Sequence, residues 1–325
     1  MRLSLGRIAL AILTVAALHS RAQAEDFPSR SITLVVPLAA GGGMDFIART
    51  IGQKLSERMG KPVLIENRPG GGTIVATVAE AKAPPDGYTL LLVPGSTLTT
   101  NATVYKSLPY DPRKDFVPIA VTSEVAFALV VNPSLPIHSV AELVRYATDK
   151  PGELIVGTSG IATTTHLAGE ILANKTSIKL RYAHYRGSPP AMNDVIAGNV
   201  QMMFADPVTG AALAKAGKVR AVAVTAKHRI PIFPDLPPIA DTVPGYEATN
   251  WHMLIAPAHT PDTVVEKLGK EVRAVTALPD VHANILKVGL LPRESPPQNE
   301  MRAFLDSEIT MWGELIKQVG LAGSL

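Results

Sequence analysis

Cysteine is absent from all 325 residues, so no disulfide framework braces the fold and no thiolate is available as nucleophile or metal ligand. The same absence excludes a lipid-modified cysteine, and an exported form of the chain is expected to diffuse freely in a periplasm. No HExxH or GxSxG pattern occurs, which removes the usual zinc-hydrolase and nucleophile-elbow signatures. Low-complexity tracts are also missing, with 46% hydrophobic and 18% charged residues. That composition belongs to a globular protein with ample core. Long apolar runs are scarce. The longest, Ile8 to Leu18, falls short of the about 20 residues that a membrane span needs.

That run belongs to a leader. Arg2 and Arg7 precede it, and Ala22, Gln23 and Ala24 follow as a small-x-small cleavage pattern, so residues 1–24 read as a secretory signal peptide cut after Ala24. Removing them takes away Arg2, Arg7 and Arg21 and no acid. The 31 basic residues fall to 28, equal to the 28 acidic ones, and the formal charge of +3 becomes zero. A basic footprint for nucleic acid therefore disappears with the leader.

The most informative stretch present is ITLVVPLAAGGGMDFIAR, Ile32 to Arg49. An apolar run breaks at Pro37, passes three glycines and resumes with helical spacing, which predicts a strand, a glycine loop and a helix start. Such a loop lets backbone N–H groups approach a ligand, and the helix dipole adds about half a positive charge there. It suits a phosphate or carboxylate. A P-loop would need Lys and Ser or Thr where Met44 and Asp45 stand. The dinucleotide fingerprint spaces its glycines GxGxxG, whereas Gly41, Gly42 and Gly43 are contiguous. Glu66, after a second apolar run, keeps that reading open. The plainer alternative is a left-handed turn with Asp45 as helix N-cap.

Further strands are predicted at Val63 to Glu66, Tyr88 to Val93, Ala126 to Val131, Leu154 to Val156, Lys179 to Tyr182, Val200 to Phe204, Val219 to Thr225 and Trp251 to Ala256. Helices are predicted to start near Met44, Gly72, Ser139, Thr163, Ser188, Val208, Thr260, Asp280 and Pro297. Ser139 with Glu142 fits a capping box, while Ser188 and Thr260 each precede a proline that suits the first helical position. The alternation predicts an α/β protein with largely parallel sheets. Its length after the leader predicts two lobes.

Ordered segments along the chain carry a resemblance: PLAAGGGMDFIAR from Pro37, VLIENRPGGGT ending at Thr73, APPDGYTLLL from Ala83, SLPYDPRKDFVPIA from Ser107, VVNPSLPIHSVAEL from Val130 and GTSGIATTTHLAGE from Gly157. HYRGSPPAMNDVIAGNVQMMFAD, GKVRAVAVT and FPDLPPIADTVPGYEATNWHMLIAP follow. The chain resembles the Bug-type, or TctC-like, solute-binding proteins of tripartite tricarboxylate transporters. The resemblance implies a two-lobed type II periplasmic-binding-protein fold, with residues 27–126 plus 227–325 as one lobe and 127–226 as the other. It implies capture of a small carboxylate in the cleft by a periplasmic monomer, delivery to the membrane components of such a transporter, no catalysis, no cofactor and no metal.

By resemblance, the ligand site falls on Ala39, Ala40, Gly41 and Gly42, whose N–H groups would face a carboxylate, with Asp45 bracing the loop. Ser96 and Thr97 would present hydroxyls from a second loop, and Thr158, Ser159, Thr163 and Thr164 would close from the opposite lobe. Tyr185 also falls on the ligand site, beside Arg186, which is either a partner for a distal acid or a solvated surface cation. Asp206 either accepts a hydrogen bond from an amino or hydroxyl group of the ligand or caps the helix near Val208. Leu38, His184 and Ala205 depart from the family pattern near the cleft. Two other functions stay open. Ser159, His166 and Glu170 superficially offer hydrolase or metal chemistry, and a ligand-loaded partner of a membrane sensor would use the same binding site.

Overall fold

The computed structural model describes residues 27–325; the leader lies outside them. Strand β1 (Ile32–Val36) is the apolar run ahead of the glycine loop, and all but one of its side chains are buried. Helix α1 (Gly43–Met59) follows, burying Ile47, Ile51 and Leu55 on one face at four-residue spacing. It ends where Gly60 turns left-handed (φ 68°) and returns its N–H to Ser56. Burying each such aliphatic side chain contributes about 1.5–3 kcal/mol. Strand β2 (Val63–Asn67) runs parallel to β1 with Ile32 opposite Val63, and α2 (Ile74–Ala81) leads to β3 (Thr89–Pro94), on the other side of β1. Two one-turn helices, α3 (Gly95–Leu98) and α4 (Asn101–Val104), follow.

Strand β4 (Phe116–Ala126) leaves this sheet, and after Phe127 the chain enters a second one as β5 (Ala128–Val131). Helix α5 (Val140–Asp149), β6 (Ile155–Thr158), α6 (Thr164–Thr176), β7 (Arg181–His184), α7 (Ser188–Ala197), β8 (Met202–Ala205), α8 (Pro207–Lys215) and β9 (Arg220–Val224) complete the second unit. Strand β10 (Thr249–Pro257) returns to the first sheet, followed by α9 (Asp262–Thr276), α10 (Pro279–Lys287) and α11 (Met301–Gln318). The sheet orders are β2-β1-β3-β10-β4 and β7-β6-β8-β5-β9. The result is a two-lobed α/β fold.

Both sheets are mixed, contrary to the largely parallel arrangement expected. Strands β10 and β5 run antiparallel to their neighbours because each carries the chain across from the other lobe. The crossings are tied together: Phe127 N–H donates to the Thr225 hydroxyl and Thr225 N–H to the Phe127 carbonyl, both at 2.9 Å. The single strand expected from Ala126 to Val131 is the junction of β4 and β5, and β4 itself extends ten residues upstream of Ala126.

Local caps differ in detail from the sequence reading. The Ser139 hydroxyl accepts from Glu142 N–H (3.1 Å), but the Glu142 carboxylate reaches back to His138 N–H instead of completing the box on Ser139. Ser188 lies inside α7 with Gly187 as its cap. Thr260 bonds the Pro257 carbonyl, and Pro261 occupies the cap position of α9.

Candidate functional site

Parallel strands of an α/β sheet deliver ligands to the loops at their carboxyl ends. Here β1, β3, β6 and β8 each end at such a loop, and these ends meet over one cavity between the lobes, about 50 Å³ in volume. Its floor is the crossing region, Val125 and Phe127. Asn250 and His252 reach it from β10, while Leu38, Met44 and Pro94 add apolar wall.

Backbone accounting identifies the donors. Helix α1 starts at Gly43 with Gly42 as its cap in extended conformation, so the first N–H groups have no intrahelical partner. Among the described residues, the Gly42, Gly43 and Met44 N–H groups receive no protein acceptor, and all three residues line the cavity. In the facing lobe, Thr164 and Thr165 start α6 with their N–H groups similarly unengaged. Ser96, Thr164 and Ser188 also line the cavity, and among the described residues their hydroxyls have no hydrogen-bond partner. The Ser159, Thr163 and Thr165 hydroxyls are bonded to one another at 2.9–3.2 Å, and Thr163 also donates to the Gly160 carbonyl at 2.7 Å. That ring holds the turn before α6 rigid.

Among the described residues, no Lys or Arg side chain lines the cavity. Asp45 braces the loop and does not cap α1: its Oδ2 accepts from Gly41 N–H and Arg49 Nε, both at 3.0 Å, and Arg49 Nη2 lies 2.9 Å from Oδ1. Burial opposes the charge on Asp45, but the bonds from Arg49, Gly41 and Asn67 outweigh it and hold the carboxyl below its usual range. Asp206 takes the capping role of its two readings, holding α8 through Thr209 N–H (3.1 Å) and the Thr209 hydroxyl (3.0 Å), and also borders the cavity. His252 is fully enclosed, with Nδ1 2.9 Å from the Ser123 hydroxyl, and burial drives its pKa down to about 4.

Of the residues expected from sequence, Ala39, Gly42, Asp45, Ser96, Ser159, Thr163, Thr164 and Asp206 line the cavity. Ala40 and Gly41 are exposed at its rim, and two of the expected donors are already engaged. Gly41 N–H goes to Asp45, and Ala39 N–H crosses to the Arg186 carbonyl at 2.8 Å. Thr97 faces away, bonded to the Thr73 hydroxyl at 2.8 Å. Thr158 bonds His184 Nδ1 at 2.8 Å behind the site, and Tyr185 donates to Asp194 on the outer surface. Arg186 lines a separate rim hollow with Gly70 to Gly72. Leu38 lines the main cavity, but His184 and Ala205 do not. Residues that sequence reasoning missed include Gly43, Met44, Phe127, Thr165, Asn250 and His252.

The hydrolase constellation does not assemble. Ser159 Oγ bonds Thr163 and Thr165, while His166 Nδ1 accepts Ala162 N–H at 3.1 Å and Nε2 sits 3.4 Å from Glu170. Serine and histidine are each engaged elsewhere. Among the described residues, no group of three or more His, Asp or Glu side chains is placed to hold a metal ion.

Helix starts from both lobes wall the cavity, and among the described residues no cationic side chain does. The model of the tripartite tricarboxylate transporter family receptor, TctC, matches residues 47–321. The chain belongs to this receptor family. It is 37% identical over 320 residues to a UPF0065 protein from the tcbD-tcbE intergenic region of Pseudomonas sp. strain P51, covering 98% of this chain and 94% of that one. BugT of Bordetella pertussis is 28% identical and covers 95% of each chain. Among solved structures, Rpa4515 of R. palustris with adipate superposes with a TM-score of 0.86 at 36% identity, covering 91% of this chain and 99% of that one. The periplasmic binding protein BugD gives 0.86 at 31%, with the same coverage. MatC of Rhodopseudomonas palustris with bound malate gives 0.84 at 29%, covering 89% and 100%. The chain is thus a solute-binding receptor, with the two-lobed fold of that family.

Proposed function

We propose that this receptor captures a small dicarboxylate or related carboxylate in the periplasm and delivers it to the membrane components of a tripartite tricarboxylate transporter. In this reading residues 1–24 are removed after Ala24. Residues 27–126 with 227–325 form one lobe and residues 127–226 the other, hinged at the paired Phe127 and Thr225 crossings. The observation that carries the proposal is the pair of unengaged helix starts, Gly42 to Met44 and Thr164 to Thr165, facing one cation-free cavity. Backbone N–H groups at a helix start hold a carboxylate through charge-assisted bonds without any lysine or arginine. The adipate and malate held by two of the similar structures are carboxylates of this kind. Apolar Leu38, Met44 and Phe127 would pack the carbon chain, and Asp206, as a hydrogen-bond acceptor, favours a ligand that presents a hydroxyl or amino donor on that side.

The test is a thermal-shift screen of the mature chain, unfolded and refolded to strip carried-over ligand, against carboxylic acids, amino acids, sugars, metals and nucleotides. A ligand at 100 times its Kd adds about 2.7 kcal/mol of stability, enough to move the midpoint by several degrees. Selective shifts with carboxylates are expected. A response to metals or nucleotides alone would overturn the proposal.

A further inference from the structure

The RPGGGT segment after β2 supplies nothing to the cavity, yet its backbone holds a run of positive-φ residues: Gly70 (φ 157°), Gly71 (54°), Gly72 (61°) and Thr73 (91°). Its surroundings show what the run is shaped against. A Cβ placed on Gly72 would lie 2.1 Å from the carbonyl oxygen of Ile161, in the other lobe, and a Cβ on Gly160 would lie 3.0 Å from the Gly72 Cα. Beside this contact, Ala39 N–H donates to the Arg186 carbonyl at 2.8 Å, and a Cβ on Gly187 would sit 3.1 Å from Ala39 N. The loops after β1 and β2 thus meet the loops after β7 and β6, backbone against backbone, at the cavity rim.

We infer that Gly72 against Gly160 and Ile161, together with Ala39 against Arg186 and Gly187, forms a close-packed backbone latch that sets ligand affinity by fixing how far the lobes close. The latch residues other than Ala39 do not line the cavity, so they act on affinity through the population of the closed form. Apparent Kd equals intrinsic Kd divided by the fraction of closure-competent protein, and a side chain in the seam lowers that fraction. The inference rests on the proposed carboxylate capture.

The experiment is calorimetric titration of Gly72→Ala with the carboxylate that binds the unaltered chain best, alongside small-angle scattering with and without it. Gly71→Ala is the matched control. Gly71 shares the positive φ, but a Cβ there would meet only Ile74 and Val75 of its own lobe, at 3.5 and 3.9 Å. Both variants place alanine at a similar positive φ, and only Gly72→Ala obstructs the seam. Gly72→Ala is expected to weaken binding at least about tenfold relative to Gly71→Ala and to lose ligand-induced compaction. Gly160→Ala, which obstructs the same seam from the other lobe, should do likewise. Equal affinity and compaction in Gly72→Ala, Gly160→Ala and Gly71→Ala would overturn the latch while leaving carboxylate capture intact. Failure of the unaltered chain to bind any carboxylate would overturn the capture itself.

Discussion

Replacing Gly42 by alanine separates binding from folding at the centre of the site. Gly42 has φ −93° and ψ 177°, an extended conformation open to any residue, so the substitution carries no backbone strain. The added Cβ would rest 3.7 Å from Pro189 Cδ and 3.9 Å from Asp206 Oδ2, ordinary contact distances. The unliganded protein should keep its stability to within about 1 kcal/mol, since an alanine cap is somewhat poorer than glycine while its smaller chain entropy helps. Binding is another matter. The added methyl group stands at the cavity wall beside the three unengaged N–H groups, where a bound carboxylate would have to approach. A carboxylate pushed off one of them loses a charge-assisted bond of about 1.5–3 kcal/mol, or roughly 10- to 150-fold in Kd. Calorimetric titration gives Kd, and thermal unfolding without ligand checks the fold. An unchanged Kd with an unchanged midpoint would refute the assignment of the α1 start as the carboxylate site.

Other substitutions test the supports. Asp45→Asn should cost about 1 kcal/mol, because Arg49 is half exposed and water screens the pair. The Asp45 carboxyl is held below its unfolded value near 3.8, so its contribution is present above that pH and disappears as pH falls through the lowered folded value; urea midpoints of the two proteins across pH 2–6 should converge at the acid end. His252 carries the corresponding penalty for a base. Buried neutral with a pKa near 4 against an ordinary 6.5, it leaves stability whole above about pH 6.5 and removes up to about 3 kcal/mol as pH falls towards 4. His252→Gln should flatten that part of the stability profile, and an identical profile would refute the burial argument. Thr225→Val removes the acceptor of Phe127 N–H at a fully buried crossing and should destabilise by about 1–3 kcal/mol in chemical unfolding. Asp206→Asn keeps an acceptor for Thr209 N–H, so the midpoint should hold while preference for ligands with hydroxyl or amino donors weakens in titration.

Sequence legibility followed the local physics. Strand β1 was readable to the residue because Ile32 to Val36 is an unbroken apolar run ending at a proline, and the starts of α1, α5 and α6 lay within one residue of the expected positions. Strand β4 was not legible. Pro118 interrupts it and Thr122, Ser123 and Glu124 dilute its apolar pattern, and its pairing with β10 is broken by two register shifts. Single turns such as α3 are too short for periodicity, which is why Ser96 and Thr97 looked equivalent although one faces the cavity and the other Thr73. Asn250 and His252 carry no motif. They reach the site only because β10 returns from the second lobe to pair with β3, bringing His252 opposite Pro94.

The central claim is that backbone donors, not cationic side chains, hold a carboxylate between the lobes. The most direct measurement is paired calorimetric titration of the refolded chain from Glu25 onward with the dicarboxylate that binds it best and with that acid's uncharged diamide isostere. Saturable binding of the diacid, with the diamide at least about a hundredfold weaker, is the predicted result, since each carboxylate would lose charge-assisted bonds of about 1.5–3 kcal/mol. Equal affinities, or binding of the diamide alone, would contradict the claim.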